Sequence, residues 1–533
     1  MGLKLYDRGN QETSTKKAGL NIMATRNIQK SLSCLLITIL LVGCAGSSWR
    51  ENKEVSIPSY ASPAASEGIL AEMAAEIFAT NGPGYSGFKL LDESYDSLAL
   101  RLALIDSATT ALDIQTYLWY PDNTGRLILQ RAVDAADRGV RVRLIIDDLL
   151  TIGLDQVMYE LQSHPNISLR LFNPWQDRQA LARAGEMIAQ MERLNTRMHD
   201  KLMIADGNAA IVGGRNIGDH YFGLSSAYNF HDLDVLGFGH IAQQSNAMFD
   251  HFWNSDWVES ATNLNAEHDA EFSEKKWEEV LSKNAIAEEL QAFGAVVEDW
   301  SDRLAELADK LHPGTSYMVY DETSGDAIAQ NVGGEIFGFM DQAQHELLIT
   351  NAYIIPGQPA IDFLKSLTDR GVRVRILTNS LASHDVPAVN SHYEPWRDDI
   401  INTGTELYEL RADAAIQSIV DIPPVTGGFT GLHTKALVVD RQKVFIGSMN
   451  FDPRSFNINT EAGIFVESPG LANALAEVME RDMAPENAWQ VLSNDDGKIY
   501  WVNSDETLYS QPARGGSQRV MNTIFKMFPK EQY

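Results

Sequence analysis

The chain has 533 residues, 44% of them hydrophobic, which excludes a single small domain and suffices to bury two sizeable cores. Its 72 Asp and Glu against 43 Lys and Arg give a formal net charge of -29. A surface of that sign repels polyanions, which disfavours extended nucleic acid as a partner but leaves room for a local basic pocket around one phosphate.

In chain order, residues 1–22 carry no pattern. Arg26 and Lys30 then precede an apolar run from Leu32 to Gly43 that ends at Cys44. A run this short falls below the roughly 20 residues a membrane span needs, so residues 1–44 read as a secretory signal with Cys44 as a lipid attachment point. The alternative is an uncleaved N-terminal anchor. Either way the bulk lies beyond the inner membrane, in the bacterial envelope and facing the periplasm. Ala45 after Cys44 favours outer-membrane sorting. The only cysteines are Cys34 and Cys44, so a processed chain has no disulfide and no thiol nucleophile. Residues 45–85 read as a linker.

The next signal is a repeat. Asp137, Arg138, Gly139, Val140, Arg141, Val142 and Arg143 recur identically as Asp369, Arg370, Gly371, Val372, Arg373, Val374 and Arg375. A second block, His199 to Asn216, is matched by His433 to Asn450. Each copy reads as an α/β unit, with Leu127, Ile128, Arg131, Ala132 and Ala135 at helical spacing, Gly139 as the helix stop and Val140 to Ile146 as a strand. The expected organisation is one domain over 86–260, an acidic helical insertion over 261–325, a second domain over 326–485 and a C-terminal segment over 486–533.

The chemistry sits in the matched block. His199 and Lys201 share one face of a strand, because side chains alternate with period two, and the strand runs to Asp206 with a hairpin turn at Gly207 and Asn208. A second strand leads to Gly213, Gly214, Arg215 and Asn216. The other copy repeats this with His433, Lys435, Asp440, Gly447, Ser448, Met449 and Asn450. Two histidines and two lysines converging by pseudo-twofold symmetry suit metal-free phosphoryl transfer. Imidazole serves as nucleophile and proton carrier, and fixed ammonium and amide groups stabilise the charge on phosphate oxygens. His220 and His231 lack the acidic and cysteine partners of a zinc cluster, so no metal and no cofactor is expected. Tyr117, Trp119 and Tyr120 read as core or rim aromatics. His384, Asp385, His392, Tyr393 and Trp396 form either a wall for an acceptor lipid or an ordinary polar loop.

These paired motifs resemble the HKD motifs of the phospholipase D superfamily over roughly residues 86–485. The stretches Arg193–His199, Gly213–Phe222, Thr378–Val389 and Gly447–Ser455 are most similar to bacterial cardiolipin synthases of the C type. The resemblance implies a duplicated phospholipase D-like α/β fold of two lobes sharing one active site. It implies that His199 attacks phosphorus, that His433 is the general acid and then base, and that Lys201, Lys435, Asn216 and Asn450 bind non-bridging oxygens. Glu461 would orient His433 and Asp234 would orient His199, while Asp206 and Asp440 would hold strand turns. The implied reaction is phosphatidyl transfer between phospholipids at a membrane surface, from phosphatidylglycerol and a second lipid such as phosphatidylethanolamine. Competing readings are a phospholipase D releasing phosphatidic acid, a superfamily nuclease and a catalytically silent lipid-binding lipoprotein.

Overall fold

A computed structural model describes residues 57–151, 153–176, 178, 186, 190–263, 290, 299–325 and 327–528. The chain divides into two units, and every element discussed below belongs to the one formed by Ser56–Pro174 and Arg193–Tyr533. The signal segment and Cys44 lie outside the described residues.

The first repeat contributes β1 (Tyr85–Leu91), β2 (Ala111–Thr116), β3 (Arg141–Asp147), β4 (Ile167–Phe172), β5 (Leu202–Ala205), β6 (Ala209–Gly213), β7 (Asn229–His231), β8 (Asp234–Gly239) and β9 (Val258–Ser260). The second contributes β10 (His312–Tyr320), the hairpin β11 (Glu322–Ser324) and β12 (Ala327–Ala329), β13 (Glu346–Asn351), β14 (Arg373–Asn379), β15 (Glu406–Leu410) and β16 (Thr430–Leu432). It continues with β17 (Lys435–Val439), β18 (Lys443–Gly447), β19 (Ala462–Glu467), β20 (Ala488–Ser493), β21 (Ile499–Val502) and β22 (Thr507–Leu508).

One 18-stranded sheet runs through both repeats. Its pairings lead from β9 through β4, β3, β2, β5, β6 and β8 to β1. Antiparallel pairing then carries the sheet from β1 to β10. It continues through β19, β18, β17, β13, β14 and β15 to β20, β21 and β22. The order β4-β3-β2-β5-β6-β8-β1 is thus repeated as β15-β14-β13-β17-β18-β19-β10, with a pseudo-twofold axis between β1 and β10. The fold is the duplicated phospholipase D-like α/β arrangement.

The repeated sequence block has a local cause. In the first repeat the helix Asn123–Asp137 starts where the Asp122 side chain accepts from the Gly125 amide, and Gly139, at φ +96°, turns the chain into β3. Gly371, at φ +87°, does the same between the helix Gln358–Asp369 and β14. β2, β3 and β4 are parallel, as are β13, β14 and β15, and most of their residues are buried, including Asp113, Arg143 and Glu409.

Two expected boundaries move. The stretch read as a linker contains the helix Ile69–Asn81, whose Leu70, Met73 and Ala74 are buried. The stretch read as the tail of the insertion contains β10, which pairs with β1 on one side and β19 on the other. Pro313 and Gly314 at its start hid a strand that joins the lobes. Most of the insertion, 264–289 and 291–298, lies outside the described residues.

Candidate active site

His199 and Lys201 lie where the chain enters β5, and His433 and Lys435 where it enters β17, one pair on each side of the axis. Each entry is held by the opposite repeat. The His199 amide donates to the Thr460 carbonyl at 3.0 Å and the Thr460 amide to the Arg197 carbonyl at 2.9 Å. On the other side β16 runs parallel to β7, and the His433 amide donates to the His231 carbonyl at 2.8 Å.

This lacing determines the acids. His199 Nδ1 donates to Glu461 Oε2 at 2.9 Å, and His433 Nδ1 to Asp232 Oδ2 at 2.6 Å. The sequence reading assigned Glu461 to His433 and Asp234 to His199, and both assignments are corrected. Each histidine takes its carboxylate from the other repeat, because the chain segment beside it comes from there. Asp234 faces away, bound to Arg101 at 2.9 Å and to Arg215 at 3.0 Å. Asp232 was missed, although a usable signal exists. Like Glu461, it lies just ahead of the strand that pairs with the Gly-rich strand, β8 with β6 and β19 with β18. Gly214 leaves room for it, since a Cβ there would come within 2.3 Å of Asp232 Oδ1. Ser448, the counterpart of Gly214, donates its hydroxyl to Glu461 at 2.5 Å.

The lysines complete the cluster. Lys201 Nζ donates to the His199 carbonyl and Lys435 Nζ to the His433 carbonyl. Each ammonium also lies over an aromatic ring, Tyr117 at 5.3 Å and Tyr353 at 5.8 Å. All four motif side chains are buried. Asn216 accepts from the Leu118 amide at 3.2 Å, while Asn450 Oδ1 is buried with no hydrogen-bond partner among the described residues.

Asp206 and Asp440 do not reach the cluster. Asp206 accepts from the amides of Thr109, Thr110 and Ala111, and Asp440 from those of Gln344, His345 and Glu346. Each sits at positive φ in its hairpin and pins the start of β2 or β13.

Among the remaining candidates, the Tyr353 hydroxyl donates to Asp385, His384 stacks on the Tyr353 ring at 5.2 Å, and that ring lies 6.3 Å from the ring of His433. Tyr393 instead points into the core, where Glu409 accepts its hydroxyl proton. His231 is bonded to Asp482 at 2.7 Å, and His220 stacks on Tyr228 at 5.4 Å.

Burial lowers both histidines, and their neighbours make them electrostatically unequal. Burial drives the His199 pKa well below the ordinary imidazole value, and the ammoniums of Lys201 and Lys435 push the same way. His433 is also lowered by burial and by Lys435, but Asp232 opposes the shift. Burial lifts Glu461 to about 7 against the pull of Lys201. Burial also raises Asp232, yet His433, Lys435 and Arg215 outweigh it and hold that carboxylate well below its usual range. Lys201 falls to about 7 and Lys435 to about 8, both chiefly by desolvation.

A sheet of this order with two crossed His–carboxylate pairs between two lysines defines a two-lobed phospholipase D-like protein. The family model described as "Cardiolipin synthase, PLD-like domain" matches residues 102–253 and 336–483, and the chain belongs to this family. The chain is 33% identical over 466 residues to cardiolipin synthase C of Escherichia coli strain K12, covering 84% of this chain and 96% of that one. It is 31% identical to an uncharacterized protein of Helicobacter pylori strain 26695, over 81% of this chain and 85% of that one. Among solved structures, phosphatidylserine synthase from Haemophilus influenzae Rd KW20 shares the fold with a TM-score of 0.55 at 14% identity, over 83% of this chain and 93% of that one.

Proposed function

We propose that this protein is a phosphatidyltransferase that forms cardiolipin from phosphatidylglycerol and a second phospholipid, with phosphatidylethanolamine a candidate, through a phosphohistidine. The observation that carries the mechanism is the inequality of the two histidines. His199, neutral at pH 7 and with Nδ1 held by Glu461, presents a lone pair on Nε2 to phosphorus. His433 is also lowered by burial, but Asp232 opposes the shift, so it takes up a proton more readily than His199 and is the better placed to donate one.

In the first step the P–O bond to the departing alcohol breaks as the His199 N–P bond forms, and His433 protonates the alkoxide. In the second, His433 takes the proton of the incoming lipid hydroxyl, whose oxygen displaces His199 from phosphorus. Lys201, Lys435 and the amide N–H groups of Asn216 and Asn450 are the donors for the non-bridging oxygens.

The same reading sets the protein on the periplasmic membrane surface, lipidated at Cys44. No helix among the described residues is long and apolar enough to cross a membrane. The helix Gly516–Phe525 buries Gln518 and Asn522 and exposes Val520, Met521 and Ile524 together with Arg519, a pattern that supports contact with an anionic lipid surface.

Purified protein supplied with phosphatidylglycerol and phosphatidylethanolamine tests the reading by lipid mass spectrometry. Cardiolipin that disappears in His199→Ala and His433→Ala supports it. Phosphatidic acid without cardiolipin assigns the intermediate to water and overturns transfer.

A further inference from the structure

Each lobe carries an apolar cavity, and the same pseudo-twofold that relates the catalytic motifs relates the cavities. In the second lobe a cavity of about 370 Å³ is bounded by Ile354, Ile355 and Pro356 after β13, by Ala360 and Phe363 of the helix Gln358–Asp369, and by Phe451. In the first lobe a cavity of about 170 Å³ is bounded by Trp119, Tyr120 and Pro121 after β2 and by Leu129 of the helix Asn123–Asp137. Hydrogen bonds confirm the equivalence of the two. Ile355 N donates to Phe451 O at 2.7 Å and Tyr120 N to Ile217 O at 2.8 Å. Ile354 bridges Phe451 as Trp119 bridges Ile217. Phe451 and Ile217 directly follow Asn450 and Asn216, so the chain that shapes each cavity also carries the asparagine of each repeated motif.

The cavities differ for a chemical reason. Trp119 and Tyr120 stand where the second lobe has Ile354 and Ile355, and Arg126, Thr151 and Gln156 add polar groups to the first cavity. Among the side chains bounding the second, only Asn457 carries a polar group. Ligand cavities typically hold about 300–1,000 Å³, a range that includes the second cavity and excludes the first.

Resting on the phosphatidyl-transfer reading above, we infer that the second-lobe cavity seats an acyl chain of the phospholipid whose phosphate lies beside Asn450. The segment Tyr353–Ile354, which follows β13 and bridges Phe451, contributes to both the cavity and the site. Tyr353 has its ring 6.3 Å from that of His433 while its neighbour Ile354 lines the cavity. The occupant must be apolar, and on the phosphatidyl-transfer reading it belongs to a molecule whose phosphate is held at the histidines. An acyl chain of the substrate meets both conditions. The narrower, more polar first cavity leaves the opposite lipid with its chains outside, so the two substrates are held by different means.

The probes are phosphatidylglycerols of graded chain length in mixed micelles, and one bearing a diazirine at the end of an acyl chain. Each methylene entering the cavity contributes roughly fourfold in affinity. Ala360→Trp, which fills the cavity from its helix, raises KM for eighteen-carbon chains by about tenfold or more and leaves turnover of four-carbon lipids at the wild-type level. Phe363→Ala shifts the preferred length upward. Irradiation labels peptides within 354–363 or 451–457 in wild type and in His199→Ala, and Ala360→Trp abolishes the label. A chain-length profile unchanged in Ala360→Trp, with label elsewhere, overturns the cavity assignment while transfer stands. Absence of transfer from wild type with every lipid overturns the functional reading instead, and the label in His199→Ala then still tests whether the cavity holds the chain.

Discussion

Asp232 and Glu461 perform one geometric task with different electrostatics. Each fixes Nδ1 of a histidine, so Asp232→Asn and Glu461→Gln, which cannot hold the tautomer in the same way, should each lower kcat by about 10²–10⁴. Steady-state kinetics beside a thermal-melt control check this. Asp234→Asn should behave differently. It loosens the buried Arg101 and Arg215 pairs and should cost about 3–5 kcal/mol of stability, visible in chemical denaturation. The lysines add to the alkaline side of the pH profile. Their folded-state pKa values are depressed to about 7 and about 8, so both charges are present at low pH and are lost as pH rises through those values. The rate kcat/KM should begin to fall as His433, lowered below the ordinary imidazole value, gives up the proton it donates, should fall further above about pH 7–8, and should fall on the acid side as His199 takes up a proton. Lys201→Arg should move the lysine-dependent fall upward, toward the Lys435 value. The motif residues were legible in the sequence because they recur in two copies. Their acids were not, since sequence order says which repeat an acid lies in but not which repeat it is packed against.

At the scale of elements, the turns at Asp206 and Asp440 tie each catalytic hairpin to the neighbouring parallel strand. Asp206→Ala removes the acceptor for three backbone amides and should destabilise the fold by roughly 1–3 kcal/mol, while the folded fraction keeps its kcat. The loop ahead of β7 is as tightly specified. Gly223 stands at φ +73°, and a Cβ there would meet the Val420 carbonyl oxygen at 2.0 Å. Gly223→Ala should pull the β7–β16 pairing apart and slow catalysis together with a lower melting temperature. The exposed face of the C-terminal helix carries a separate expectation. Serine at Val520, Met521 and Ile524 should reduce co-sedimentation with phosphatidylglycerol vesicles and leave turnover of short-chain lipid intact. Helix Asn123–Asp137, β3, β5 and β6 could be read from periodicity and glycine placement. β10 could not, because its role depends on a partner, β1, far away in the chain.

For the whole molecule, the continuity of the sheet through β1 and β10 means that neither repeat is a free-standing body. Residues 57–263 and 299–528 expressed separately should each expose one of these strands as an open edge and should self-associate on size-exclusion chromatography, without lipid turnover. The duplicated architecture was visible in the repeated blocks, whereas its closure was not, for no local pattern records that two lobes trade carboxylates. That trade constrains ancestry. If a single repeat once acted alone, its histidine had no carboxylate within reach on its own chain, so it could work only as a symmetric pair in which each copy completed the other. Fusion then freed the copies to diverge, and Gly214 against Ser448, Asp232 against Glu461, and Trp119 against Ile354 record how far they have done so.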